Sequence, residues 1–424
     1  MRRLHRILRA PIAWLALLVL AVPLAALAQD LQGPGFAYYE AGDLDAPRPG
    51  PRAPAMMLMG GGEWVPEAFY WWLKQAGNGR VLILRASGSD ELQDRLYREI
   101  GGTTAVQTLV FDSRRGADDP AVLRVVAAAD AIFIAGGDQS RYIRFWKGTA
   151  LNRALNAHVR AGKPIAGTSA GLAILGGYAY GAMDGGSITS AGALADPMGS
   201  AVTMDSGFLQ MPYLQRVVTD THFDKRDRLG RLIVFVARAA QDSGDPDIVG
   251  IGVDEDTALC VEPDGQAQVY SADGEGKVWV VSPGRDADRL VEGEPLRFHA
   301  VPVTVVASGS RMRLDDFQAD ADYQAVADIS DGEIEFTLRL CRPLAGNSPS
   351  LMRPVPASGR HYPCNPFTTP AGDVPDETAP GAVRAVVPAH ACPGRAGHFA
   401  AAGHPRWRRC RAQGPVAGRG KGST

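Results

Sequence analysis

A glycine-flanked serine and a histidine 53 residues further on have the types and spacing needed for nucleophilic catalysis. "PIAGTSAGLAIL", residues 164–175, carries Ser169 within Gly167-Thr168-Ser169-Ala170-Gly171. An apolar, strand-like run enters this stretch and a helical pattern leaves it. Between a strand and a helix, Gly-x-Ser-x-Gly forms a sharp turn that holds the serine oxygen clear of the backbone. The same turn sets Ser169 at a helix N-terminus, where free N–H groups favour developing negative charge. A serine hydroxyl is a weak nucleophile until a base takes its proton, and histidine is the usual base. Of the eight histidines, His5 lies in the N-terminal leader, and His361, His390, His398 and His404 lie in a Pro/Gly-rich tail. His158 falls in an exposed-looking helix pattern and His299 in a strand pattern. His222 remains, in "VVTDTHFDKRDRLGRL", at the junction of a strand-like run and a basic helix. Acyl transfer also needs donors for an oxyanion. The Ala170 N–H is one candidate, and Gly136 or Gly137 of "AIFIAGGDQ" supplies a second, with Gly137 preferred.

These residues must be positioned by repeated βα units. Within a catalytic domain expected over residues 55–258, strand-like runs ("AMMLMGG", "RVLILRAS", "AVQTLVFD", "AIFIAGG", "KPIAGTS") alternate from about residue 55 to 176 with helical stretches, several of which open at Ser, Asp or Pro and close at Gly. The pattern predicts an α/β catalytic domain, a doubly wound, mostly parallel sheet with helices on both faces. Ligands in such sheets bind beyond the carboxyl ends of the strands, where "GGGEW", "SGSDE", "GGDQSRY" and "TSAG" all fall. Residues 259–342 read as a small antiparallel β extension. Residues 343–424 lose all periodicity, and disorder is the expectation there.

The 424 residues carry a net charge of −2, which gives no electrostatic case for nucleic acid or an anionic membrane. Four arginines, an apolar run and Ala26-Leu27-Ala28 have the layout of a secretory signal peptide over residues 1–28. Residues 29–54 then form a linker. The expected location is periplasmic or extracellular. Five cysteines at wide spacing show no metal-binding pattern, so neither metal nor cofactor is expected.

Taken together, "GGDQ", "GTSAG" and "THFDKRDRLGRL" resemble peptidase family S51, the family of cyanophycinases and aspartyl dipeptidases, over residues 55–260. The resemblance implies a flavodoxin-like fold of the class I glutamine amidotransferase type, with serine as the nucleophile. It implies hydrolysis of β-aspartyl-arginine linkages of cyanophycin or of related aspartyl dipeptides, usually by a homodimer. Position by position, it implies Ser169 as nucleophile, His222 as base, Gln139 as a substrate-binding glutamine, and Arg226, Arg228 and Arg231 as the arginines after the histidine. For the third triad member it implies Asp184, fifteen positions after the serine as in the dipeptidase branch, with Glu255 of "GIGVDEDTAL" as the alternative. A guanidinium beside the scissile bond suits an aspartyl carboxylate, and Arg228 and Arg231 share a helix face. Asp224 and Asp227 are positioned to neutralise that face instead. Asp220 suits either a substrate cation or a capping role. One departure stands out: Thr221 precedes His222 where cyanophycinases carry glutamine, and its shorter side chain cannot make the same amide contacts.

Two other readings share some of these features. An α/β-hydrolase esterase has the same elbow, but no His-Gly-Gly oxyanion loop occurs here. A secreted binding protein would keep the pocket without turnover.

Overall fold

The computed structural model describes residues 33–320, 323–340 and 383–387. In chain order the strands are β1 (Phe36–Gly42), β2 (Met56–Met59), β3 (Arg80–Arg85), β4 (Ala105–Phe111), β5 (Ala131–Ile134), β6 (Ile165–Thr168), β7 (Tyr178–Tyr180), β8 (Met204–Ser206) and β9 (Val217–Asp220). They continue as β10 (Val249–Val253), β11 (Thr257–Val261), β12 (Gln266–Ser271), β13 (Lys277–Val281), β14 (Phe298–Ala307), β15 (Arg311–Arg313), β16 (Tyr323–Ser330), β17 (Glu333–Leu340) and β18 (Val383–Val387). The helices are α1 (Pro66–Gln75), α2 (Glu91–Asp94), α3 (Pro120–Ala128), α4 (Gln139–Trp146), α5 (Ala150–Arg160), α6 (Ala170–Ala173), α7 (Ser190–Ala195) and α8 (Leu229–Ser243).

The strands form two sheets. The first has the order β1-β4-β3-β5-β6-β2-β11-β12-β15, and its centre, β4-β3-β5-β6-β2, is parallel throughout. This is the α/β core expected from the βα repeats. Strand side chains alternate between faces, and the consequence is visible in β3. Val81 and Ile83 join the core under α1, with Phe69 and Trp72, whereas Leu82 and Leu84 join the core on the other face with Val122 and Val125 of α3 and Leu155 of α5. Helix starts follow capping chemistry. Asp119 accepts from the Ala121 amide at 2.7 Å with Pro120 behind it, and Asp138 accepts from the Ser140 amide at 2.9 Å.

The second sheet has the order β18-β17-β16-β14-β13-β10-β9-β7-β8. Only β7, β9 and β10 run parallel in it; the remaining pairs are antiparallel. One face packs on the first sheet through Val217, Val249, Ile251, Val278 and Val280, and the other packs on α8. The expected extension is therefore divided between sheets: β11, β12 and β15 edge the first, and β13, β14, β16 and β17 extend the second. Its alternating strands each find a buried face only by joining a sheet that already has a core. The expected linker also contributes β1, which pairs antiparallel with β4. The leader lies outside the described residues, as does the tail except for β18, which pairs with β17. Among the described residues no helix is long and apolar enough to cross a membrane.

Candidate active site

Ser169 caps the carboxyl end of β6 with φ 52° and ψ −121°, a conformation that non-glycine residues rarely adopt. The flanking glycines are sterically required. A Cβ on Gly167 would lie 2.6 Å from the Gly171 carbonyl oxygen, and one on Gly171 would lie 2.1 Å from that of Ile134. The turn is tied to the sheet by the Ser169 amide, which donates to Met59 at 3.2 Å. The strand-to-helix elbow read from the sequence is present.

His222 follows β9 of the second sheet, and its Nε2 lies 2.7 Å from Ser169 Oγ. Its Nδ1 lies 2.5 Å from Glu255 Oε1. This pairing assigns the tautomer: Nδ1–H donates to the carboxylate, and Nε2 is left to accept the serine proton. Glu255 sits in the short crossover from β10 to β11, where the chain passes between the sheets. Its amide donates to Asp224 Oδ1 at 3.0 Å, and its carbonyl accepts from Thr257 Oγ1 at 2.8 Å. The carboxylate that meets His222 Nδ1 is therefore Glu255 and not Asp184. Asp184 is exposed in the β7–α7 connection, and the single proton of His222 Nδ1 is already directed to Glu255.

The imidazole is held on its backbone side as well. The His222 amide donates to Gly60 at 2.7 Å, and a Cβ on Gly61 would lie 2.3 Å from His222 Cε1. The glycine run of "GGGEW" thus leaves room for the ring. Burial lowers the His222 pKa below its ordinary value, the bond to Glu255 pulls it back up, and the Arg226 charge lowers it again. The net direction favours the neutral, proton-accepting ring. His158, expected on an exposed helix face, is instead buried with Nε2 3.0 Å from the Pro164 carbonyl, and burial brings its pKa down to about 4.

The three arginines separate in space. Arg231 is 2% exposed and points inward, donating from Nε and Nη2 to both oxygens of Asp220 at 2.7 and 2.5 Å. Neither residue lines the cavity at Ser169, so the substrate-binding roles expected for Arg231 and Asp220 give way to a buried ion pair joining α8 to β9. Arg228 spans both settings. Its Nη1 donates to the Thr221 carbonyl at 2.8 Å and Oγ1 at 3.1 Å, and approaches Asp220 at 3.4 Å, yet it also lines the cavity. Arg226 is exposed and faces the same space. Asp224 and Asp227 do not neutralise this face: Asp224 accepts from the Glu255 amide and pairs with Lys225, and neither carboxylate lies within 4.0 Å of Arg226 or Arg228.

The cavity holds about 330 Å³. Ser169, His222, Thr221 and Gln139 line it, together with Gly137 and Ala170, the two expected oxyanion donors. Ala170 is the first residue of α6, where an amide has no acceptor within its own helix. Gly137 has φ 149°. Two contributors to the wall escaped the sequence reading. Arg144, in the last turn of α4, donates from Nη2 to the Met183 carbonyl at 3.0 Å. Gly185, Gly186 and Ser187 also line the cavity. Neither has a local motif; only the return of the β7–α7 connection brings them to the serine.

A serine, a neutral histidine and a buried-side carboxylate in sequence, beside two backbone donors and at the end of a parallel sheet, define the arrangement used by nucleophilic hydrolases. Comparison with known proteins makes the class specific: the chain belongs to peptidase family S51. The model of that family matches residues 95–195. The chain is 32% identical to the cyanophycinase of Trichormus variabilis over 225 residues, 52% of this chain and 68% of that protein. It is also 32% identical to the cyanophycinase of Synechococcus elongatus over 237 residues, 54% and 67% of the two chains. Among solved structures, a peptidase from an acI-B1 actinobacterium matches at 19% identity with a TM-score of 0.41, covering 62% of this chain and 97% of that one.

Proposed function

We propose that this chain is a serine-type peptidase that hydrolyses amide bonds beside aspartate through an acyl-enzyme. The observation that carries the reading is the continuous relay Ser169 Oγ–His222 Nε2, His222 Nδ1–Glu255 Oε1, opening on the cavity. As Ser169 Oγ attacks the scissile carbonyl, His222 Nε2 takes its proton. Glu255 remains ionised and stabilises the resulting imidazolium. The oxyanion falls to the Ala170 and Gly137 amides. His222 then returns its proton to the leaving amine, the C–N bond breaks, and water attacks the ester by the reverse proton path.

Arg226 and Arg228 give the cavity a positive wall, which suits the carboxylate that an aspartyl linkage presents beside the scissile amide. Gln139 lines the same cavity, and its amide is assigned to orienting the substrate backbone. Cyanophycin, a β-aspartyl-arginine polymer, and shorter aspartyl peptides are the substrates this reading favours; Thr221 removes the longer amide of the cyanophycinase pattern. We propose further that the protein is exported, acts as a homodimer and has a core of the class I glutamine amidotransferase, flavodoxin-like type.

The test incubates the purified mature protein with cyanophycin and with α- and β-aspartyl dipeptides, identifying products by mass spectrometry. A serine-reactive phosphonate is added in parallel. Aspartyl products together with label on Ser169 are expected. A folded protein that takes no label on Ser169 and cleaves none of these substrates would be a binding protein.

A further inference from the structure

Charge in the cavity is unevenly compensated. Arg228 shares Asp220 with Arg231, and Asp138, at the cavity edge, caps α4 and lies 3.8 Å from Arg141. Arg226 and Arg144 differ from these: among the described residues neither has a carboxylate within 4.0 Å. They also arise from different elements, Arg226 from the loop after His222 and Arg144 from α4. Two uncompensated guanidiniums on separate elements, facing one cavity, match a ligand with two separated negative charges. At about 330 Å³ the cavity is near the small end of ligand pockets, roughly 300–1,000 Å³, a size that suits a short ligand.

We infer that Arg144 is a specificity-determining residue that binds a second substrate carboxylate, the free terminal one, while Arg226 and Arg228 hold the aspartyl carboxylate beside the scissile bond. The inference rests on the peptidase reading above and extends it from aspartyl peptides to short, carboxylate-terminated dianions. The geometry around Arg144 suits the task. Nη2 donates to the Met183 carbonyl, which holds one edge of the guanidinium and leaves its other donors for the ligand. The same bond joins Arg144 to the connection that also lines the cavity, so the site is built from both elements.

The experiment compares an aspartyl dipeptide with its C-terminal amide, in the wild type and in Arg144→Gln and Arg144→Lys. The wild type is expected to favour the free acid in kcat/KM by about ten- to a hundredfold. Arg144→Gln should remove that preference, lowering kcat/KM for the acid far more than for the amide, and Arg144→Lys should restore part of it. Binding of both ligands to Ser169→Ala, with and without Arg144→Gln, is measured by calorimetry. If the wild type turns over neither peptide but binding still discriminates acid from amide through Arg144, the inference stands and the peptidase reading falls. Equal losses on acid and amide would assign Arg144 to holding the Met183 connection only. That result, the absence of any acid-over-amide preference in the wild type, or the absence of binding to either ligand would overturn the inference.

Discussion

Both ring nitrogens of His222 are engaged, and the chemistry depends on which group holds Nδ1. Replacing Glu255 with Gln removes the charge that stabilises the imidazolium and invites the wrong tautomer. In the best-studied serine triad the equivalent change costs about 10⁴ in kcat. A loss of 10²–10⁴ is expected for Glu255→Gln, with Asp184→Asn within about twofold of wild type; steady-state kinetics on the same substrate checks both. Loss on the Asp184 variant alone would reverse the assignment. The pH profile adds a second reading of the residue. His222 must be neutral to accept the serine proton, so kcat/KM falls as pH drops through its pKa. Burial is the largest influence and lowers that pKa, so the acid limb is expected below the ordinary imidazole value of 6.5. Glu255 works in the opposite direction, raising it, so Glu255→Gln should move the limb further toward acid. An inflection above 6.5 in the wild type would contradict the buried, neutral ring.

At the level of elements, α8 is held to β9 by a charge pair inside the protein. Asp220 and Arg231 are each 2% exposed, and both carboxylate oxygens accept from the one guanidinium. Removing Arg231 leaves the buried Asp220 carboxylate with only the longer 3.4 Å contact to Arg228, which costs up to about 3–5 kcal/mol. Arg231→Met should therefore lower the urea midpoint strongly while the folded fraction keeps a near-normal KM. A raised KM at unchanged stability would return Arg231 to the substrate. The sequence suggested otherwise because i, i+3 spacing reports which residues share a helix face, not which face the protein covers. What was legible in the chain is what local physics determines. The elbow at Ser169 is an example, since its glycines answer to backbone contacts within a few residues and one neighbouring strand. So is the cap at Asp119, which opens one of the helical stretches that begin at Asp. Glu255 was not selected, because its meeting with His222 depends on how β10 and β11 divide between sheets. Short antiparallel strands specify pairing only through partners remote in sequence. The division of residues 259–342 between two sheets escaped for the same reason, as did Arg144.

On the scale of the whole molecule, the nucleophile belongs to the first sheet, the base to the second, and the acid to the crossover between them. Among the described residues no strand ladder spans this boundary; apolar packing joins the sheets there, through residues such as Ile251 and Val280 against Leu259 and Val269, with single bonds such as that of the His222 amide to Gly60 beside it. Backbone ladders fix distances along each sheet, but a packed face tolerates small sliding before it opens. The 2.7 Å contact between Ser169 and His222 thus acts as a gauge of sheet alignment, far more sensitive than any spectroscopic measure of strand content. In a urea titration, activity is expected to disappear at a lower concentration than the far-ultraviolet dichroism, and to return on dilution. Coincident transitions would mean that the sheets separate only when they melt. If the transitions do part, turnover becomes a built-in strain meter: substitutions deep in the inter-sheet packing, far from any substrate, would register first as lost rate in a protein whose secondary structure is still intact.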